Sequence, residues 1–197
     1  MGLLDAILGR SKPVRPDLDR LFGLPGAAIT LQAAAGFTPT GTGSVCFASV
    51  EGGAFAGLQE EVRELLDADT GRGGTPVEFS EDAYGYTWIL ARHPAEDTPA
   101  LVNDLHAVNT LLQDAGFGPQ LLCSLIGFRE AAGERTLSLV YLYKRGTFYP
   151  FAPLPAPATG KRDNALELQI RAVLADDLRI EPDLGRWFPV WGAPGLG

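Results

Sequence analysis

The sequence predicts an α+β fold: a mixed or mainly antiparallel sheet built from hairpins, with helices packed on it. Three observations carry that prediction. Segments around 77–90 and 121–143 each set two strand-like runs, alternating in the first and mostly apolar in the second, on either side of a turn signal, the pattern of β-hairpins. Segments 55–66, 101–112 and 166–174 repeat apolar residues every three or four positions, the period of a helix face. The two periods follow one another as helix, hairpin, helix, hairpin, helix, an order that favours antiparallel neighbours.

The elements follow in chain order. Leu3, Leu4, Ile7 and Leu8 share one side of a short amphipathic N-terminal unit that Gly9 ends. Arg10, Lys12 and Arg15 follow, and Pro13 and Pro16 mark a linker, so residues 1–15 read as a segment apart from an α+β domain over 16–197. Leu18, Leu21 and Phe22 fit a short helix that Pro25 should stop. Ile29 and Leu31 begin a strand pattern, 38–43 (TPTGTG) reads as a loop, and Val45 and Phe47 form the next strand. Phe55, Leu58, Val62, Leu65 and Leu66 make a helix face, and the Gly-rich stretch 70–76 a connection. Val77 and Phe79 lead into a turn at 81–85, and Tyr86, Trp88 and Leu90 return.

Thr98 with Pro99 behind it opens a helix whose stripe is Leu101, Leu105, Val108 and Leu112, and Gly116 stops it. Leu121–Phe128 is a mostly apolar, central strand; 131–134 turns it back into Leu137, Leu139, Tyr141 and Tyr143. An aromatic loop containing Phe148, Tyr149 and Phe151 and a proline-rich stretch to Lys161 come next. Asn164 with Glu167 forms a capping box for a helix faced by Leu166, Ile170, Val173 and Leu174. The tail holding Trp187, Phe188 and Trp191 is irregular. In layout the chain is loosely similar to type III secretion chaperones and YbjN-like proteins, a likeness of fold with little bearing on function.

Composition narrows the function. The chain has 197 residues, 46% of them hydrophobic, enough for a sizeable core, and a net charge of −8. That acidity argues against general nucleic-acid binding. No stretch is long and apolar enough to span a bilayer, and the first ten residues lack the basic start of a secretory leader, so a cytoplasmic protein is expected. Cys46 and Cys123 fall inside strand patterns and read as reduced core thiols. His93 and His106 lack companions at metal-ligand spacing, and the glycine-rich loops 41–44 and 71–74 lack the Lys-Ser/Thr ending of a phosphate loop. No catalytic motif stands out, and no cofactor or metal is expected.

One region departs from the acidic background. No acid lies between Glu134 and Asp163, while Arg135, Lys144, Arg145, Lys161 and Arg162 are all basic. Tyr141, Tyr143, Lys144, Arg145, Phe148, Tyr149 and Phe151, joined by Trp187, Phe188 and Trp191, are candidates for a partner-binding patch, because Tyr, Trp and Arg dominate protein hot spots. Stacking of single-stranded nucleic acid is the weaker use, and closure of one end of the core by the same rings is the plain alternative. Leu3, Leu4, Ile7 and Leu8 are candidates for contact with a membrane interface or a partner helix.

Several strings together resemble a known family: MGLLDAILGRSKP, GSVCF, EGGAF, YGYTW, DLHAVNTLLQDAGFGPQLLCSLIGF, YLYKRGTFYPFAPLP, RDNALELQ and RWFPVWGAPGL. Across nearly the whole chain they are similar to the PspA-associated family PspAB of actinobacteria and some archaea. The resemblance implies a role in the phage-shock envelope stress response, with PspA or another component of that system as partner. It brings no catalytic residue with it. A non-enzymatic adaptor, with peripheral contact at the inner face of the plasma membrane open to it, is the expectation. The alternative is a small-ligand binder or enzyme whose aromatic-lined cleft exposes Cys46 or Cys123.

Overall fold

The computed structural model describes residues 16–48, 53–67, 75–155 and 160–196. Leu3, Leu4, Ile7 and Leu8 lie outside the described residues. A 3-10 turn at Leu18–Gly23 leads directly into helix α1, Leu24–Ala35. Strand β1 is Phe37–Ala48, α2 is Gly53–Asp67, and the first hairpin is β2, Thr75–Glu81, with β3, Tyr86–Arg92. Helix α3 spans Thr98–Leu112. Then come β4, Leu121–Glu130, β5, Thr136–Leu142, β6, Thr147–Phe151, and α4, Asn164–Val173. The six strands form one sheet in the order β2-β3-β1-β4-β5-β6, and every pairing is antiparallel.

The expected α+β fold is therefore present, with several local corrections. Pro25 starts a helix where a stop was expected. It sits in the first turn of α1, where no intrahelical partner needs its missing N–H. Ile29 and Leu31 lie in that helix, not in a strand. Two positions apart they point to opposite sides, and Ile29 is 72% exposed while Leu31 is fully buried. The alanine-rich surroundings favour helix over strand.

The expected loop at 38–43 is instead part of β1. Its glycines and proline mark a bulge, with the register against β4 slipping between Pro39 and Gly43. Gly41 has φ 75°, and a Cβ there would lie 2.1 Å from the His93 carbonyl oxygen, so only glycine fits.

The aromatic loop around Phe148 is also a strand. Residues 143–146 turn the chain, and β6 pairs with β5 from Leu142↔Thr147 to Ser138↔Phe151. Pro150 is tolerated because β6 is an edge strand. Two caps move by one residue: Asp97, not Thr98, accepts from Ala100 N, and Asp163, not Asn164, accepts from Leu166 N. Glu167 makes no capping box; its carboxylate turns inward to Ala152 N and Arg162.

The register separates two faces of the sheet. Val45, Ile89, Ile126, Phe128, Leu139, Tyr141 and Phe148 point to the face covered by the helices and form the main core with Leu31, Leu105 and Ile170. Trp88, Cys46, Cys123 and Leu142 form one cross-sheet row on the opposite face. Leu90, Ser44, Leu125, Val140 and Tyr149 form the next row. Among the described residues no helix covers this outer face; the irregular tail packs on it through Trp187, Val190, Ala193 and Leu196.

Candidate functional site

The tail pairs with no strand among the described residues, so its carbonyls need other donors. The outer face supplies them. Ser44 donates to Pro194 O at 2.8 Å, the Tyr149 hydroxyl to Phe188 O at 2.8 Å, and Arg162 to Trp187 O. The Trp187 indole donates in turn to Glu181 O at 3.0 Å, and its ring stacks on Tyr149 at 6.0 Å between centroids. Trp191 meets Phe151 edge-on at 4.9 Å.

The tail leaves part of the face uncovered. There a cavity of about 590 Å³ opens, floored by Cys46, Cys123, Trp88 and Tyr149. Tyr84 and Tyr86 from the β2–β3 hairpin form one wall, and Phe188, Pro189, Val190 and Trp191 the other. Lys144, Arg145 and Arg186 lie on the rim, with Asp82 opposite in sign. Asp82 is held in place by three donors: Tyr84 N at 2.9 Å, Tyr86 N at 3.0 Å and Trp88 Nε1 at 2.9 Å. Desolvation pushes its carboxyl up, but those hydrogen bonds win and hold it below the usual carboxylate value.

The rim cations differ in availability. Arg145 is committed to Glu181, with Nε 3.0 Å and Nη2 3.3 Å from the carboxylate oxygens. Glu181 is fully buried and also accepts from Thr147 Oγ1 at 2.7 Å and Asp183 N at 3.2 Å. Burial raises the pKa of Glu181, but these hydrogen bonds outweigh it and the net shift is downward. Arg186 pairs with Asp183. Lys144, the neighbour of Arg145 in the turn, is exposed and makes no ion pair or side-chain hydrogen bond among the described residues.

The residues expected to form one partner-binding patch are thus divided among three places. Tyr141 is buried in the main core and donates to Asp17 O at 2.9 Å, while burial pushes its hydroxyl up to about 12. Tyr143 is buried and donates to Gln113 Oε1 at 2.7 Å. Phe148 packs beside Tyr141 under the helices, Phe151 lies under the tail, and Trp187 is the tail's own buried ring. These rings have little exposed surface in this fold. The aromatic composition that made them look like a docking face fills the two cores of strands covered on both sides. Tyr149 lines the cavity but is almost fully buried, whereas Phe188, 58% exposed, and Trp191, 38% exposed, stand at its mouth with Lys144. Tyr84 and Tyr86, missed as site residues, complete that mouth. Their signal was an aromatic pair at a hairpin turn, YGY, which has no core to enter.

His93 is paired with Asp104 at 2.6 Å and His106 lies 3.3 Å from Asp19, both away from the cavity. No three His, Cys, Asp or Glu converge for a metal ion among the described residues. No helix among them is long and apolar enough to cross a membrane.

Fold and site together define an α+β protein whose antiparallel sheet is covered by helices on one face and by a tail-bordered aromatic cavity on the other. The chain belongs to the PspAB family: the model of PspA associated protein B matches residues 1–195. The family ties the chain to PspA as an associated protein. No curated protein and no solved structure matches it.

Proposed function

We propose that this protein is a non-enzymatic adaptor of the PspA-linked envelope stress response, and that it docks PspA or another phage-shock component with the mouth of the outer-face cavity. The supporting observation is the ring of exposed aromatics, Phe188, Trp191, Tyr84 and Tyr86, around an apolar cavity beside the uncommitted Lys144. Aromatic side chains at a concave, desolvated patch are the usual anchors of protein interfaces. The matching partner offers an apolar side chain to the cavity and a carboxylate to Lys144. The N-terminal Leu3, Leu4, Ile7 and Leu8 act as a second contact, with anionic membrane or a partner helix.

Co-sedimentation with the PspA of the same organism, with and without anionic liposomes, tests this. Capture without lipid that Phe188→Ala with Trp191→Ala weakens by about 30-fold or more, the effect of losing a hot spot, supports docking at the cavity. Capture only by liposomes, lost on deleting residues 1–11, moves the contact to the N-terminal segment. Unchanged capture by the folded double variant removes the cavity mouth from the interface.

A second reading rests on the cavity itself. Its 590 Å³ falls within the range that holds small organic ligands, and its walls are largely aromatic. A small planar apolar molecule would then occupy it. Displacement of a fluorescent naphthalene-sulfonate probe from the native protein, abolished by Trp191→Ala, checks that reading.

A further inference from the structure

Cys46 and Cys123, the chain's only cysteines, are direct cross-strand partners on β1 and β4. Both are free thiols, and both lie on the floor of the outer-face cavity. Antiparallel partners have Cα atoms about 4.5–5.5 Å apart with side chains on the same face. That separation lies within the span a disulfide bridges. We propose that Cys46 and Cys123 form an oxidisable dithiol, a modification site that a small hydroperoxide entering the cavity converts to an intrachain disulfide.

The two sulfurs have different roles. Cys123 is the more exposed, at 8% against 3% for Cys46. The adjacent Cys123 thiol, burial and the nearby charge of Asp82 push the Cys46 pKa strongly upward. The more exposed Cys123 is the sulfur that a peroxide in the cavity reaches first, and so the attacking group. Cys123, as thiolate, attacks one peroxide oxygen; the O–O bond breaks, giving a Cys123 sulfenic acid and an alcohol or water. The Cys46 sulfur then attacks the Cys123 sulfur and expels water, so two thiols and one hydroperoxide yield one disulfide, one alcohol and one water. A bridge there ties β1 to β4 and reshapes the floor of the cavity. The chemistry stands whether or not a partner uses the cavity mouth.

The test uses the full-length reduced protein without any partner. It is exposed to hydrogen peroxide, then denatured and alkylated with iodoacetamide, and its intact mass is read. The expected product has lost about 2 Da, has lost both alkylatable thiols together, stays monomeric and regains both thiols with dithiothreitol. Cys46→Ser should leave a sulfenic acid at Cys123 that a dimedone probe traps, and neither single variant should show the 2 Da loss. Phenylarsine oxide gives an independent reading of the geometry: one equivalent per chain should block both thiols of the native protein. Two thiols that stay alkylatable after both reagents, or oxidation that yields only linked dimers or single-site sulfinic acid, overturn the proposal. None of these outcomes bears on docking at the cavity mouth, which the co-sedimentation variants test separately.

Discussion

The two faces of the sheet bury their apolar rows by different means. The inner face is covered by α1, α2, α3 and α4, whose backbone hydrogen bonds are satisfied within each helix, so only apolar stripes meet the sheet. The outer face is covered by a tail with little regular structure, and side chains must complete its hydrogen bonding. Ser44 and Ser138 are fully buried in an otherwise apolar surface because they donate to the carbonyls of Pro194 and Leu196. A cover built this way is discontinuous, and the cavity forms where it leaves a gap. An exposed aromatic mouth is therefore found on the side closed by a tail, and a packed core on the side closed by helices.

The largest effect that can challenge this contrast is on the inner face. Phe128→Ala removes a fully buried ring under the helices and should cost about 3–5 kcal/mol, read as a lower urea midpoint with an unchanged slope. Trp187→Ala on the outer face should cost less, about 2–3 kcal/mol, because the tail can release without opening the helix layer. Equal losses from the two variants would mean that both faces belong to one cooperative unit.

Lys144 and Arg145 sharpen the contrast within a single turn. Arg145→Ala strands the buried Glu181 and should cost about 2–4 kcal/mol, toward the lower part of the range for a broken buried pair because Arg145 remains a third exposed. Lys144→Ala should stay within about 0.5 kcal/mol of the parent. Charge reversal at Lys144 alone is thus the clean probe of docking, whereas a double reversal with Arg145 would mix binding with stability. A large loss of stability from Lys144→Ala would mean that this side chain has a structural partner.

Smaller still is the pH dependence of the two buried glutamates, whose signs are opposite. The Glu181 carboxyl is lowered from its ordinary 4.5, so its contribution is present above that value and is lost as pH falls through the folded value. Glu167 is raised from 4.5 by burial, which outweighs its hydrogen bonds from Arg162 and Ala152 N. Its contribution is fullest below 4.5 and declines as pH rises through the folded value. Urea denaturation between pH 3 and 7 should show Glu181→Gln flattening the loss on acidification and Glu167→Gln removing an opposing slope. A single common slope for both variants would contradict the two environments.

The site was less legible than the fold because exposure, not residue type, makes a site. The run from Tyr141 to Phe151 was visible as aromatic and basic, yet most of its rings serve the two cores, and only Lys144 is left free. Phe188 and Trp191 were visible as aromatic tail residues. What placed them at a cavity mouth was the anchoring of Trp187 to Glu181 and of Phe188 O to Tyr149, contacts across 6 and 39 positions of chain.

Local periodicity alone determined the helices around Leu58, Leu105 and Ile170, the two hairpins, and the central place of Leu121–Phe128, because each of those segments carries its own burial pattern. Short apolar pairs such as Ile29 and Leu31 fit both periods, and only packing against the sheet decided for helix. Tertiary structure alone brought Cys46 beside Cys123 across 77 positions of chain and laid the tail over them, because register between distant strands is set by which face must be buried.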